Sequence, residues 1–471
     1  MNSGKNNHYD AIIIGAGIGG LVCGCYLAKA GMKVLIAEQH HKPGGYCTSF
    51  KRNGFTFDAA AHSFGSYRKD GNMKRILETL DLDKRIKIER HDPSDIIVSP
   101  DYKITFWADI NRTIEGLLEL FPHEAKGIKS FISFLSDSKP FDFAALRNMT
   151  FNDLLSQHLI DNKLKSMLSL PILGNGGLPP SLISAFTGTK IYTEFLLDGG
   201  YYPKGGMQVL PDILSLRLKE LGGELRLSNP VQKIKVESNE VKGVFLEKDG
   251  FISSKYVISN CDARQTFLKL LEQQATNGEL LRKLDRLIPS LSVFVVYLGI
   301  DKYYNLPNPG VNIWGMPHHK IEDLYLALQN GSTNNSTGYM VRVSPSKNSV
   351  QAFVNAPFKN KKYWIDNKDS LSECLVNRIE QIIPQLSQHI VLKEIATPDT
   401  MYRYTLNYQG AAYGWASMPS QMFTPELRQT TSINGLYLSG HWVAQTQGVS
   451  GVAYIGRETA KLILRKEEYK L

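Results

Sequence analysis

Residues Tyr9–Glu38, YDAIIIGAGIGGLVCGCYLAKAGMKVLIAE, restrict the possible folds of this chain more than any other stretch. Ala11–Ile14 is a short apolar run suited to a buried parallel strand. Gly15, Gly17 and Gly20 follow in G-x-G-x-x-G spacing. The first makes the tight turn, the second lets a pyrophosphate approach the backbone, and the third lets a helix pack on the strand. The helix is expected to run to Lys29 or Ala30, with Gly31 as its cap and Lys33–Ala37 as a second strand. Glu38 then stands where a carboxylate binds both ribose hydroxyls of an adenine dinucleotide and disfavours a 2′-phosphate. Strand, turn, helix, strand and acid in register predict a dinucleotide-binding unit.

Four further segments narrow the choice. KPGGYCTSFKRNGFTFDAAAHSFGS, with the doublet Gly44–Gly45 and then Phe55, Phe57 and Asp58, resembles the stretch after the second strand in the FAD-containing amine oxidase and phytoene desaturase superfamily. Gly435–Leu464, GLYLSGHWVAQTQGVSGVAYIGRETAKLIL, resembles that superfamily's closing motif: a strand at Leu436–Ser439, a bend at Gly440, and a helix from Gly448–Val449. Tyr201–Leu271 and Thr397–Pro419 follow the branch of carotenoid desaturases, carotenoid isomerases and retinol saturases. The resemblance covers most of the chain. It implies FAD as cofactor, with Gly15, Gly17, Gly20, Glu38, Gly44, Gly45, His62, Val231, Gly440, His441, Gly448 and Val449 as cofactor-binding candidates. Val231 would meet the adenine through its backbone, and the helix after Gly448 would lie against the flavin ring. His441 departs from the pattern, because many members carry an acid after that glycine.

The implied fold class is α/β, a discontinuous Rossmann-like FAD-binding domain with an inserted α+β substrate domain. The first is expected from 1–80, 201–275 and 430–471, the second from 81–200 and 276–429. The first insertion reads as helical, for example Thr113–Leu120 and Lys126–Leu135 with a break at Pro122. The second reads as β-rich, with strands at Leu291–Ile300 and Gln351–Val354 and a helix at Leu371–Ile383. In the middle block, a helix at Met207–Leu221 precedes strands near Glu224–Leu227, Val231–Val236, Val241–Glu247 and Tyr256–Ser259.

No acid–base pair or nucleophile stands out by spacing. His62 and Trp415 are the catalytic candidates, and Tyr413, Tyr192, Tyr201 and Tyr202 are candidates for a pocket lining. Gln445 and Gln447 precede the last helix and are within reach of a flavin edge. No second G-x-G-x-x-G framed by strand and helix follows, which argues against a separate nicotinamide domain. Five cysteines give no disulfide framework, and Cys23 and Cys25 read as small core residues. No metal is expected, since the chain lacks HExxH, paired CxxC and a histidine cluster.

A length of 471 residues suffices for two cores, and 42% hydrophobic with 21% charged residues describes a globular chain. MNSGKNNHYD lacks the apolar run of a signal peptide, so a cytoplasmic protein is expected. The net charge of +9 is dispersed along the sequence rather than gathered in a stripe, which argues against nucleic acid. It leaves peripheral membrane contact open, because each basic residue near an anionic surface contributes roughly 1 kcal/mol. Nothing in the sequence fixes an oligomeric state. The resemblance implies an FAD-dependent oxidoreductase that desaturates or saturates C–C bonds of an apolar isoprenoid or polyene lipid, such as a carotenoid or retinoid. Its alternatives are a polyene cis–trans isomerase, an oxidase of an amine or other small molecule, and a prenyl-binding carrier related to Rab GDP-dissociation inhibitors, which does no chemistry.

Overall fold

The structure, a computed structural model, describes residues 8–137, 146, 148–272, 278–330, 336–422, 424, 428–443 and 447–468. Its first sheet grows from β1 (His8–Ile14), which pairs in parallel with β2 (Val34–Ala37), Ile12 facing Leu35 and Ile14 facing Ala37. The helix between them, α1 (Ile18–Lys29), starts at Gly17 and is buried on nearly every side. It lies against the sheet, the helix Val209–Glu220 and the C-terminal helix Gly448–Lys466. That enclosure explains why Cys23 and Cys25, two apart on the helix and facing different ways, are both fully buried. Desolvation pushes both thiols up, that of Cys25 to about 12.

The far strand of this sheet comes from the middle of the chain. Gly250–Ser259 begins as the antiparallel partner of Glu240–Leu246, which pairs in turn with Val231–Glu237. Further along it runs parallel to β1, Ser259 opposite Ile14, and takes Leu436–Leu438 on its other side. Glu224–Arg226 closes the opposite edge beside β2. The expected strand Tyr256–Ser259 is therefore the end of a longer one, because the hairpin and the parallel sheet share a single continuous strand.

A second seven-stranded sheet runs in the order Ile390–Ala396, Ser292–Ile300, Ser349–Ala356, Tyr339–Val343, Asn312–Gly315, Asp95–Val98 and Lys103–Phe106. Ser292–Ile300 is buried along its whole length, and its side chains alternate between two cores. Val293, Val295 and Tyr297 join the helices of residues 110–196, while Phe294, Val296 and Leu298 meet the helix Lys361–Glu380, with the Phe294 and Trp364 rings stacked.

Two expectations are corrected. The first insertion is not only helical: Asp95–Val98 and Lys103–Phe106 join the second sheet, Ile97 pairing with Trp314 and Ile104. These strands of four residues are too short for their alternation to stand out. The helix expected at Leu371–Ile383 spans Lys361–Glu380, because the Asn360 side chain accepts a hydrogen bond from the Tyr363 N–H and starts it ten residues earlier. Helices at Ile110–Leu120 and Ala125–Asp137, separated by a turn beginning at Pro122, match the helical reading closely. Among the described residues, no helix is long and apolar enough to cross a membrane.

Candidate functional site

A cavity of about 620 Å³ opens at the C-terminal ends of β1 and β2 and extends to the second sheet. Such strand ends are the usual ligand position in α/β sheets. Gly15, with φ +96°, turns the chain into α1, and its N–H bonds Ala37 O at 2.8 Å. A Cβ on Gly20 would stand 2.3 Å from Gly15 O, so the helix can sit this close to the strand only with glycine there. Gly44 folds back onto this turn, its N–H donating to Ala16 O at 2.9 Å, and brings Gly45 beside Gly17. Glu38, at the end of β2, accepts from Ala16 N–H at 2.6 Å and His40 N–H at 2.8 Å. Burial raises its carboxyl above the usual range, although those N–H groups oppose the shift.

Two helix N-termini face the cavity, those of α1 and Gly448–Lys466. Neither has a side-chain cap or an acidic residue in its first turn, so the positive ends of both dipoles are left for a ligand. The helices touch through glycine: a Cβ on Gly456 would lie 2.2 Å from Gly19 O. Where the sheet ends converge, Asn260 donates from Nδ2 to Gly15 O at 3.3 Å, while its buried Oδ1 has no hydrogen-bond partner among the described residues. A Cβ on Gly440 would stand 2.7 Å from that Oδ1, and one on Gly17 3.0 Å from Nδ2. The sequence reading passed over Asn260. Its position directly after the strand that returns to β1 is the signal that would have found it.

Of the expected residues, Gly15, Gly17, Glu38, Gly44, Gly45, His62, Val231, Gly440, His441, Gly448, Val449, Gln447 and Tyr413 line the cavity. Gly20 lies behind the turn. Trp415, Tyr192, Tyr201 and Tyr202 are absent from the lining. Trp415 is 1% exposed and packs edge-to-face on Trp442, ring centres 4.8 Å apart. Tyr192 is buried among helices with its hydroxyl donating to Leu168 O. Gln445 lies outside the described residues. Gln447 donates from Nε2 to Ser417 Oγ at 2.7 Å, and its buried Oε1 has no partner among the described residues.

The far part of the cavity is largely apolar, walled by Phe186, Ile191, Phe195, Val293, Val295 and Phe353, with Asn175, Thr187, Lys190 and Glu194 also on the lining. His62 sits against Phe195 and Phe353, ring centres 6.0 and 5.9 Å away. Burial and the nearby Arg342 guanidinium push its imidazole down to about 3, so it is neutral at ordinary pH. Burial does the same to His441, down to about 4. The carboxylates of the lining are engaged: Glu38 with backbone, and Glu194 in a two-pronged bond to Arg68 at 3.0 Å on each side. No group of three or more acidic, histidine or cysteine side chains among the described residues has metal-holding geometry.

The model of the family described as flavin containing amine oxidoreductase matches residues 18–464. A chloroplastic prolycopene isomerase of Daucus carota is 28% identical, over 96% of this chain and 79% of that protein. A 4,4'-diapophytoene desaturase (4,4'-diapolycopene-forming) of Methylomonas sp is 26% identical, over 98% and 97%. An all-trans-retinol 13,14-reductase of Danio rerio is 23% identical, over 92% and 82%. Among solved structures, the cyclohexylamine oxidase of Brevibacterium oxydans shares the fold with a TM-score of 0.66 at 14% identity, covering 98% of this chain and 99% of that one.

Proposed function

The chain belongs to the flavin containing amine oxidoreductase family and is an FAD-dependent enzyme, and on that premise we propose that it acts on carbon–carbon bonds of an apolar isoprenoid or polyene lipid. The observation that carries this reading is the apolar wall of Phe186, Ile191, Phe195, Val293, Val295 and Phe353, continuous with the glycine-lined end of the same cavity. Such a wall suits a conjugated hydrocarbon. The curated relatives support it, being named for prolycopene, diapophytoene and retinol. An amine substrate fits less well. Of the two lining glutamates that could pair with its ammonium, Glu194 is held by Arg68 and Glu38 stands at the proposed ribose end of the cavity.

The residues present suit FAD. Gly15, Gly17 and the first turn of α1 bring backbone N–H groups to a pyrophosphate, and Glu38 takes the ribose hydroxyls. Val231 and Gly44–Gly45 border the adenine end, while Gly440, His441 and Gly448–Val449 border the flavin end, where the helix dipole favours negative charge. When bound there, FAD supplies the redox chemistry. The protein's own part is to hold the polyene along the apolar wall, exclude water, and present His62 beside it. A second reading, cis–trans isomerisation without net redox change, is favoured by the prolycopene isomerase match over 96% of the chain.

Mass spectrometry of apolar lipids, from host cells with the gene intact and deleted, tests both. A precursor and product differing by pairs of hydrogens is the expected result, and isomers of equal mass would favour the second reading. No change in any apolar lipid would reject both. Peripheral contact with a membrane holding the lipid is part of the proposal and suits the net charge of +9. Co-sedimentation with anionic vesicles, lost at high salt, is its check.

A further inference from the structure

Behind His62 lies a buried polar row that no motif announces. Asp95, Asn312 and Arg342 face one another across three adjacent strands of the second sheet, Asn312 paired with Asp95 on one side and with Arg342 on the other. All three are at most 3% exposed. Arg342 Nη1 lies 2.8 Å from one end of the Asn312 amide, and a guanidinium only donates, so that end is Oδ1. The other end stands 3.1 Å from Asp95 Oδ1, which already accepts from Trp314 Nε1 at 2.8 Å, so it is Nδ2. The orientation of Asn312 is thus fixed from both sides.

His62 Nδ1 lies 3.1 Å from Asn312 Oδ1. Ser63 Oγ also lies 3.3 Å from Nδ1, but a hydroxyl accepts as readily as it donates, whereas Asn312 Oδ1 is nearer and only accepts, so the proton sits on the ring. Nε2 has no hydrogen-bond partner among the described residues, and it belongs to a residue that lines the cavity. A second proton on the ring is opposed by burial and by the Arg342 charge. The remaining charged residues of the lining are Glu38, Lys190 and Glu194.

We infer that Asn312 is a positioning residue: clamped between Arg342 and Asp95, it holds His62 as the Nδ1–H tautomer, so that the cavity meets Nε2 as a hydrogen-bond acceptor. The part of any ligand bound against Nε2 must then bring a donor, a hydroxyl or an N–H, into an otherwise apolar wall. This holds whichever reaction the enzyme performs.

The test is 15N NMR of the FAD-loaded full chain labelled at histidine, with the His62 signals assigned by their loss in His62→Gln. The expected wild-type result is one neutral ring, protonated on Nδ1 and bare on Nε2, constant between about pH 5 and 8. Protonation on Nε2, or titration within that range, overturns the inference. Asn312→Asp places a carboxylate against Nδ1 and is expected to produce a doubly protonated His62 inside that range. A His62 spectrum unchanged in Asn312→Asp overturns the positioning role. Asn312→Leu is expected to let the two tautomers mix, and retention of Nδ1–H alone there would also overturn it. Should the leucine variant fail to fold, the wild-type and Asn312→Asp spectra decide the matter.

Discussion

Glu38 carries a charge into a site that also receives two helix N-termini, and its carboxylate is held by Ala16 and His40 N–H groups. Glu38→Arg replaces it with a longer cation that matches neither those donors nor a ribose diol. The purified variant is expected to lack bound flavin, read as loss of the visible absorption bands; full occupancy would refute the assigned role. Asp95 makes a different prediction. Burial raises its carboxyl to about 6, whereas an unfolded aspartate titrates near about 3.9. Between those values the folded protein binds more protons than the unfolded one, so the contribution of Asp95 to stability falls as pH rises through that window. Asp95→Asn cannot ionise yet keeps an acceptor for Trp314. The stability of the variant relative to the parent should therefore rise by on the order of 2 kcal/mol from pH 4 to pH 6, measured by denaturant unfolding. A flat difference would contradict it. The glycines and Glu38 were legible because their meaning lies in spacing along one short segment. Asn312 and Arg342 were not, because each acquires its role from partners far away in sequence, whereas Asn260 had a signal only in its place directly after a strand.

Among elements, the contact between α1 and Gly448–Lys466 controls the shape of the cavity, since both helices begin on its lining. Gly456→Ala would set a Cβ 2.2 Å from Gly19 O and 3.1 Å from Gly19 Cα, with backbone on the receiving side and no rotamer to relieve it. The C-terminal helix must then move away from the glycine turn. We expect a loss of about 1–3 kcal/mol in thermal unfolding, together with weaker flavin retention. Gly116→Ala is the matched control: it lies in the helix Ile110–Leu120 with open space around its Cβ and should be neutral or stabilising, by up to about 1 kcal/mol. Long periodic or fully apolar elements, such as α1 and Ser292–Ile300, could be read from the sequence almost to the residue. The paired strands Asp95–Val98 and Lys103–Phe106 could not, because four residues between turns carry too little pattern and their place in a sheet depends on Asn312–Gly315.

At the scale of the whole molecule, the cavity is shared: the first sheet provides the glycine-rich end, and Val293, Val295 and Phe353 of the second sheet provide the apolar end. FAD, bound there as proposed, would stabilise the fold by mass action, by about 2.7 kcal/mol when free cofactor exceeds its Kd a hundred-fold. Stripping the flavin should lower the melting temperature, and adding FAD should restore it in a concentration-dependent way. A melting temperature indifferent to FAD would contradict this. The fold class was legible because four separated segments resemble one superfamily. The apolar end of the cavity was less so, since the expected aromatics Trp415, Tyr192 and Tyr201 fill cores and Tyr202 packs half-buried against one, and the wall is built from aliphatic residues and phenylalanines that read as ordinary strand and helix residues. The first sheet also has a consequence for biosynthesis. Its strand Leu436–Leu438 and the helix Gly448–Lys466 leave the ribosome after every other part of the glycine-rich site has been made. A nascent or prematurely terminated chain that stops short of them lacks one of the two helix N-termini that face the cavity, and on the proposed placement of FAD it is expected to be colourless.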